Sequence, residues 1–215
     1  MRKCFRLVLV ISLLTPFCRV VSAEEPHFCK DCVRADEAFL ASDVLQGRGS
    51  ATRDEHIAAA YIASLFQSFG LEPGGDTGDY IQKAPLPNPL PDRVKKHLLQ
   101  YQDVPRTETW NVVGILRGSD TKTQQDAILL TAHLDHLGIG PAVNGDSIYN
   151  GADDDASGTT AVIELARSLN QGKRPKRPFF LFSLAQKNSA VLAIATSSNT
   201  RQCLSIASSP ILNLK

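Results

Sequence analysis

Two short clusters in the sequence carry residue types that can bind a metal ion. The first is Thr131-Ala132-His133-Leu134-Asp135-His136, which directly follows an apolar run. An imidazole there can bind zinc through one ring nitrogen, while a carboxylate two residues later accepts the N–H of the other and so fixes the tautomer and orientation. This cluster therefore predicts His133 as a zinc ligand and Asp135 as the residue that orients it.

The second cluster contains three consecutive carboxylates, Asp153, Asp154 and Asp155, between small residues and just before a helical pattern. Such acids can simply cap the helix, because its first turn has free N–H groups and favours negative charge. A triple acid 20 residues after His133 also favours a metal site. A carboxylate has two oxygens and can bridge two cations, as a two-metal hydrolase requires.

The surrounding pattern predicts the elements that must position these clusters. Helical spacing indicates helices over 35–45, over 53–69 with a Thr52/Glu55 capping box and a Gly70 cap, and from near Ser157 to 169. Apolar runs predict strands over 80–86, 110–116, 127–132 and 178–184, of which 127–132 is expected to be fully buried. Strand, helix and strand in succession make a crossover unit, so we expect an α/β fold with a mostly parallel central sheet flanked by helices.

With these motifs in view, the chain resembles the co-catalytic zinc aminopeptidases related to bacterial leucyl aminopeptidase and aminopeptidase Y. Their pattern is His-x-Asp, followed by Gly-Ala-Asp-Asp/Asn-x-Ser-Gly and a helix, matched here by 131–138 and 151–169. The resemblance runs from about residue 35 to 184 and includes Leu45-Gln46-Gly47-Arg48. It implies that His133 binds one zinc ion, that Asp153 bridges two, and that Asp135 orients His133. It also implies that Asp154 lies beside the bridge without being a ligand. His136 is interpreted as a pocket-wall or hydrogen-bonding residue.

The same resemblance implies an exopeptidase that acts on peptides with a free N-terminus through a metal-bridging water. In that family a Glu-Glu pair after the next strand supplies the general base and a further ligand. This chain instead continues Ala185-Gln186-Lys187-Asn188, and it has no Asp or Glu from residue 185 to 215. We interpret 185–215 as an atypical tail, and a shifted reading frame is one hypothesis for it; a divergent C-terminus is the alternative. The chain as written is expected to be inactive and to keep one zinc ion or none.

Residues 24–184 are accordingly interpreted as the N-terminal portion of a zinc peptidase catalytic domain, with an incomplete C-terminal half. Two other functions stay open from the sequence. One is a non-catalytic exported binding module on the same scaffold. The other is a related single-zinc glutaminyl cyclase or carboxypeptidase, which would differ mainly in the part that follows residue 184.

The first 23 residues have the pattern of a signal peptide, with a basic start, an apolar run and Val21-Ser22-Ala23 before the expected cleavage. We therefore expect an exported protein, secreted or periplasmic. No later window approaches 18 consecutive apolar residues, so no stable membrane span is expected. The formal charge of +1 gives no indication of nucleic-acid binding. Cys29 and Cys32 could form a disulfide, a redox pair or half of a zinc site, or could stay idle thiols.

Overall fold

A computed structural model of the chain describes residues 27–86 and 107–185. The three helices are α1 (Lys30–Leu40), α2 (Arg53–Phe69) and α3 (Ser157–Gln171). The seven strands are β1 (Glu72–Pro73), β2 (Ile81–Pro85), β3 (Glu108–Leu116), β4 (Ile128–His133), β5 (Gly138–Val143), β6 (Asp146–Tyr149) and β7 (Phe179–Leu184). Short 3₁₀ segments span Asp43–Arg48 and Thr121–Thr123, and a π turn spans Ala152–Ala156.

Five strands form the central sheet, and its order confirms the α/β fold with one correction. The order is β1, β3, β7, β4, and β2 also pairs with β3 beside β1. The α3 crossover makes β4 and β7 parallel, with His133 opposite Leu184, as the sequence predicted. The other three pairings are antiparallel, so the described part of the sheet is not mostly parallel. The physical reason is that parallel neighbours need a crossover connection, which only the β4–α3–β7 unit supplies here.

The main hydrophobic core lies between the sheet and the three helices. Its fully buried side chains come from every layer: Leu40 on α1, Ile62 and Phe66 on α2, Ile163 on α3, Leu181 on β7. A smaller cluster of Val113, Phe182 and Leu184 forms separately from it. Burying this apolar surface is the main favourable contribution to the fold, at roughly 25 cal/mol per Å².

β4 is less buried than the sequence predicted. Leu129 is 45% exposed, and Ile128 and Leu130 are half-buried, although the run 127–132 was expected to be fully covered. Within the described residues β4 pairs only with β7 and so lies at the edge of the sheet. An apolar run without alternation therefore indicated a strand correctly but overstated its burial.

The helix boundaries test the capping arguments. α2 begins after Thr52, whose hydroxyl accepts a hydrogen bond from the Glu55 N–H at 3.2 Å, and ends at Gly70 with φ 79°. α1 begins at Lys30 and ends at Leu40, earlier at both ends than the predicted 35–45. Cys29 caps α1 and forms a disulfide with Cys32, which identifies the state of this pair among the alternatives. The remainder of the predicted helix is the 3₁₀ segment Asp43–Arg48, because the backbone turns to positive φ at Gln46.

Several sequence interpretations fall outside the residues that the structure describes. They concern the signal peptide over 1–23, the proline-rich segment from 87 onward and the tail from 186 to 215. In the described ranges, none of the helices has the length and apolar character needed to span a bilayer.

Candidate metal centre

His133 is the last residue of β4, and Asp135 contacts its ring. Its Nδ1 donates to the backbone carbonyl of Asp135 at 2.9 Å, and the Asp135 carboxylate lies 3.5 Å from the same nitrogen. Nε2 therefore faces away from β4, toward the turn that precedes α3. Burial lowers the pKa of His133, but its bonds to Asp135 outweigh this and the pKa ends above its ordinary value.

The three consecutive acids before α3 do three different things. Asp153 is exposed. Asp154 directs its carboxylate at His133, with Oδ1 2.9 Å from Nε2. Asp155 accepts the Gly158 N–H at 3.1 Å, which caps α3, and also accepts the His133 N–H at 3.1 Å. Of the three acids, Asp155 thus caps the helix, and Asp154 contacts the imidazole of His133.

The structure places Asp154, and not the predicted Asp153, at the free nitrogen of His133. The turn is irregular here: Gly151 is left-handed at φ 65°, and Asp154 and Asp155 depart from helical angles. A Cβ at Gly151 would lie 2.5 Å from the His136 ring, so that glycine also permits close packing. The bridging role predicted for Asp153 stays a prediction, because the observed contact is between Asp154 and His133 and involves no metal.

His136 lies beside the same Asp154 carboxylate. Its Nδ1 is 3.9 Å from the second carboxylate oxygen of Asp154, and its side chain is 13% exposed. Burial lowers the pKa of His136, the Arg48 guanidinium and His133 lower it further, and Asp154 opposes them. His136 therefore lies beside the Asp154 carboxylate, and the role predicted for this histidine stays a prediction.

The chemistry of the donors fits one edge of a zinc site. With both His133 nitrogens within hydrogen-bond distance of oxygens, a proton on Nε2 bridges to Asp154, and a cation can take the place of that proton. Two ligands of one tetrahedral zinc lie about 3.3 Å apart when each bond is about 2.0–2.1 Å long. The observed 2.9 Å would need to open by only a few tenths of an ångström. Over residues 27–86 and 107–185, no group of three or more potential ligands converges.

The end of β7 reaches the same edge of the sheet. Leu184 pairs with His133, its carbonyl accepts the Leu134 N–H at 2.7 Å, and the next residue is Ala185. The residues around this pairing, Ser183, Leu184 and Ala185, contain no metal ligand of the usual His, Cys, Asp or Glu type.

Three residues that matter to the site were not identified from the sequence. Ser50 donates to the Asp135 carboxylate. Arg48 contacts the loop after His133 and the turn before α3. Glu55 is fully buried behind these two segments. The sequence signals for Arg48 were its position between two glycines and its place in the Leu45-Gln46-Gly47-Arg48 stretch of the family resemblance. Glu55 was assigned to a capping box, but its carboxylate accepts from the Ala51 N–H and the Thr109 hydroxyl.

Comparison with known proteins gives a family match and a shared fold. Residues 111–185 match the model of peptidase family M28. A zinc aminopeptidase from Bacillus subtilis is similar in structure, with a TM-score of 0.55, 15% identity, and coverage of 85% of this chain and 68% of that one. A Zn-dependent exopeptidase from Parabacteroides distasonis has a TM-score of 0.50 and 24% identity, with coverage of 74% of this chain and 47% of that one. A glutaminyl cyclase from Bacteroides thetaiotaomicron has a TM-score of 0.51 and 20% identity, with coverage of 75% of this chain and 48% of that one.

The family model matches about a third of the chain, so family membership is supported for that segment and not for the whole chain. The chain spans about half the length of the first structures that it matches. No curated protein sequence matches it. The solved structures, at these identities, establish the fold, and the family model covers both metal-binding clusters, which supports a hydrolase of the peptidase type.

Proposed function

We infer that the chain is a segment of a peptidase of family M28, whose model matches residues 111–185. From this premise we propose that the chain carries the zinc-binding edge of a metallopeptidase that removes residues from the free N-terminus of peptides. The observation that carries the proposal is the meeting of His133 Nε2 with Asp154 at 2.9 Å, inside the segment that the family model matches.

We assign the metal-binding carboxylate to Asp154, and His133 keeps its predicted role as a ligand. Asp135 acts on the ring of His133 from the opposite side, through its carbonyl and carboxylate. Such a partner fixes the tautomer and makes the free nitrogen a better ligand. Bound there, zinc would supply a Lewis acid that activates water and polarises a carbonyl. Asp153 is exposed beside the site and, in this proposal, is not needed for the first ion.

Proton transfer needs a base, and this chain offers none where the family places one. The residues that follow β7 are Ala185-Gln186-Lys187-Asn188, in place of a pair of glutamates. We therefore propose that the 215-residue chain binds zinc weakly and hydrolyses peptides very slowly, because the activated water would lack a proton acceptor.

A single-zinc cyclase is the second candidate. The observation that favours it is that two ligands converge on one position, which suits one ion better than two. The glutaminyl cyclase from Bacteroides thetaiotaomicron has the same fold. Formation of a cyclic product from a peptide with N-terminal glutamine, without release of free amino acids, would favour this candidate over the peptidase.

Zinc titration of single variants tests the assignment of the ligands. We expect His133→Ala and Asp154→Asn to abolish measurable zinc binding in calorimetry, and Asp153→Asn to leave the dissociation constant within about threefold of the original chain. Asp153→Asn is a matched control because it removes the same charge one residue away. Loss of binding in Asp153→Asn with retention in Asp154→Asn would show that the sequence-based assignment was right and ours wrong.

Export belongs to the proposal as well. The Cys29–Cys32 disulfide supports it, because disulfides persist mainly in oxidising compartments. Fusing residues 1–23 to a reporter that is active only after export tests it, with a reporter lacking this leader as the control. Activity equal to that control would contradict export through this segment.

A further inference from the structure

A segment far from the two clusters in sequence lies between them in space. Residues 47–50 begin at the end of the 3₁₀ segment Asp43–Arg48 and run beside the loop that follows His133. Gly49 forms a β-bridge with His136, and the Arg48 carbonyl accepts the His136 N–H at 2.9 Å. The approach is close, since a Cβ at Gly47 would lie 2.4 Å from the Tyr149 carbonyl oxygen.

The Arg48 guanidinium joins the two loops that carry the metal-binding side chains. It is 1% exposed. Nε donates to the Leu134 carbonyl at 2.8 Å, in the loop that begins at His133. Nη1 donates to the Asn150 carbonyl at 2.8 Å and Nη2 to the Gly151 carbonyl at 2.9 Å, both just before the acidic turn. Nη1 also donates to the Leu40 carbonyl at the end of α1.

All four of these acceptors are backbone carbonyls, and this is unusual for a buried cation. Burying a guanidinium costs several kcal/mol, and an opposing carboxylate normally offsets much of that cost. A carbonyl offsets less, but it lies on the backbone and so its position fixes the chain. An arginine fork that holds three carbonyls of two loops therefore sets the distance between those loops.

Ser50 completes the contact on the histidine side. Its hydroxyl donates to the Asp135 carboxylate, which in turn lies against Nδ1 of His133. The chain of contacts runs from residues 48–50 to Asp135 and His133 on one side, and through the Gly151 carbonyl to the turn of Asp154 on the other.

We propose that Arg48 and Ser50 are positioning residues that set the separation of His133 from Asp154 and so determine the zinc affinity of the site. The inference rests on the proposed function in so far as it concerns zinc. The geometric part, that residues 48–50 hold the two loops in one arrangement, does not depend on metal.

Zinc affinity of the full chain is the first readout. We expect Arg48→Lys to weaken zinc binding about 10–100-fold, the range for partners that orient a ligand, and Ser50→Ala to weaken it up to about tenfold. A lysine keeps the charge but cannot reach both loops at once. Arg167→Lys is the matched control, since it makes the same change at an arginine on α3 and should leave affinity within about twofold.

Hydrogen exchange without zinc is the second readout. We expect Arg48→Lys to speed exchange in peptides covering both 133–138 and 150–156, whereas Arg167→Lys leaves both unchanged. If Ser50→Ala and Arg48→Lys bind zinc as the original chain does while His133→Ala does not, the positioning role is wrong and the proposed function stands. If His133→Ala binds zinc normally, the proposed function fails. Independently of zinc, unchanged hydrogen exchange in both peptides of Arg48→Lys would overturn the positioning role.

Discussion

Two arginines in this molecule are held in opposite ways. Arg48 lies at the candidate metal-binding edge, and Arg167 lies on α3 in a cluster with Glu164, His27 and Cys29, which we call the anchor. Arg48 donates only to carbonyls and is 1% exposed. Arg167 forms an ion pair with Glu164 at 2.6 Å and donates to the His27 carbonyl at 2.7 Å. The Arg48 guanidinium thus joins backbone segments, whereas the Arg167 guanidinium is paired with a carboxylate on the same helix.

This difference shows how charge is distributed around the candidate site. A salt bridge from Arg48 to a site acid would compete with a metal ion for that acid. The Arg48 guanidinium donates to carbonyls instead. Burial lowers the pKa of Arg48, and the charges of Asp135, Glu37 and Asp155 partly oppose this. At the anchor no metal competes, and Glu164 bonds directly to Arg167 and to the Cys29 N–H at 2.6 Å.

Breaking the anchor pair should give the largest loss of stability in this comparison. We expect Arg167→Met to lower the free energy of unfolding by about 3 kcal/mol, because Glu164 would stay buried without its cation. Denaturant unfolding measures the loss, and a Glu164→Gln/Arg167→Met double variant should recover part of it. Zinc affinity should not change. A tenfold weaker zinc site in Arg167→Met would remove the distinction between the two arginines.

The disulfide at the anchor should contribute less. The Cys29–Cys32 loop is short, and the loop-entropy relation gives about 2 kcal/mol for closing it. We expect Cys29→Ser/Cys32→Ser to lose about that amount in thermal unfolding, since serine can replace the Cys29 sulfur that caps α1. Cys29→Ala/Cys32→Ser should lose about 1 kcal/mol more through the missing cap. Equal losses in the two variants would show that the cap contributes nothing.

The pH dependence of stability should separate the two buried glutamates. Burial raises the pKa of Glu55, with Asp135 adding to the shift, so the folded chain holds a proton that the unfolded chain releases. Stability should therefore fall as the pH rises from the unfolded pKa near 4.5 toward the raised folded pKa. Glu55→Gln should remove this slope and add about 1 kcal/mol at neutral pH. Asp31→Asn, a change of the same charge on the surface, is the control and should leave the slope in place.

Glu164 should show the opposite slope. Burial alone would raise its pKa, but the bonds from Arg167 and from the Cys29 N–H lower it below the ordinary value. Its stabilising effect is therefore present above the unfolded pKa near 4.5 and lost as the pH falls through the folded one. Glu164→Gln should flatten the acid side of the stability profile, and a profile unchanged below pH 5 would contradict this account.

The sequence predicted the elements better than their surroundings. Periodicity and caps located α2 from Thr52 to Gly70 and the β4–α3–β7 crossover, because those signals are local. Exposure of Leu129 and the antiparallel pairing of β3 with β7 depend on which strands become neighbours, and local patterns do not encode that. The start of α1 at Lys30 depends on the Cys29 cap, which the apolar spacing alone did not indicate.

The candidate site followed the same division. His133 and Asp135 were identified because a histidine at a strand end with an acid two residues later has a direct chemical meaning. The choice between Asp153 and Asp154 depended on backbone angles in an irregular turn, which spacing does not specify. Arg48 and Ser50 act across more than 80 residues of sequence, and only the folded chain brings them to Leu134 and Asp135.

The central claim is that His133 and Asp154 form the metal-binding pair, and anomalous diffraction at the zinc edge tests it most directly. Crystals of the chain grown with zinc should show a peak about 2 Å from Nε2 of His133 and from one carboxylate oxygen of Asp154. A peak that contacts Asp153 instead of Asp154, or a bound zinc ion that does not touch His133, would contradict it.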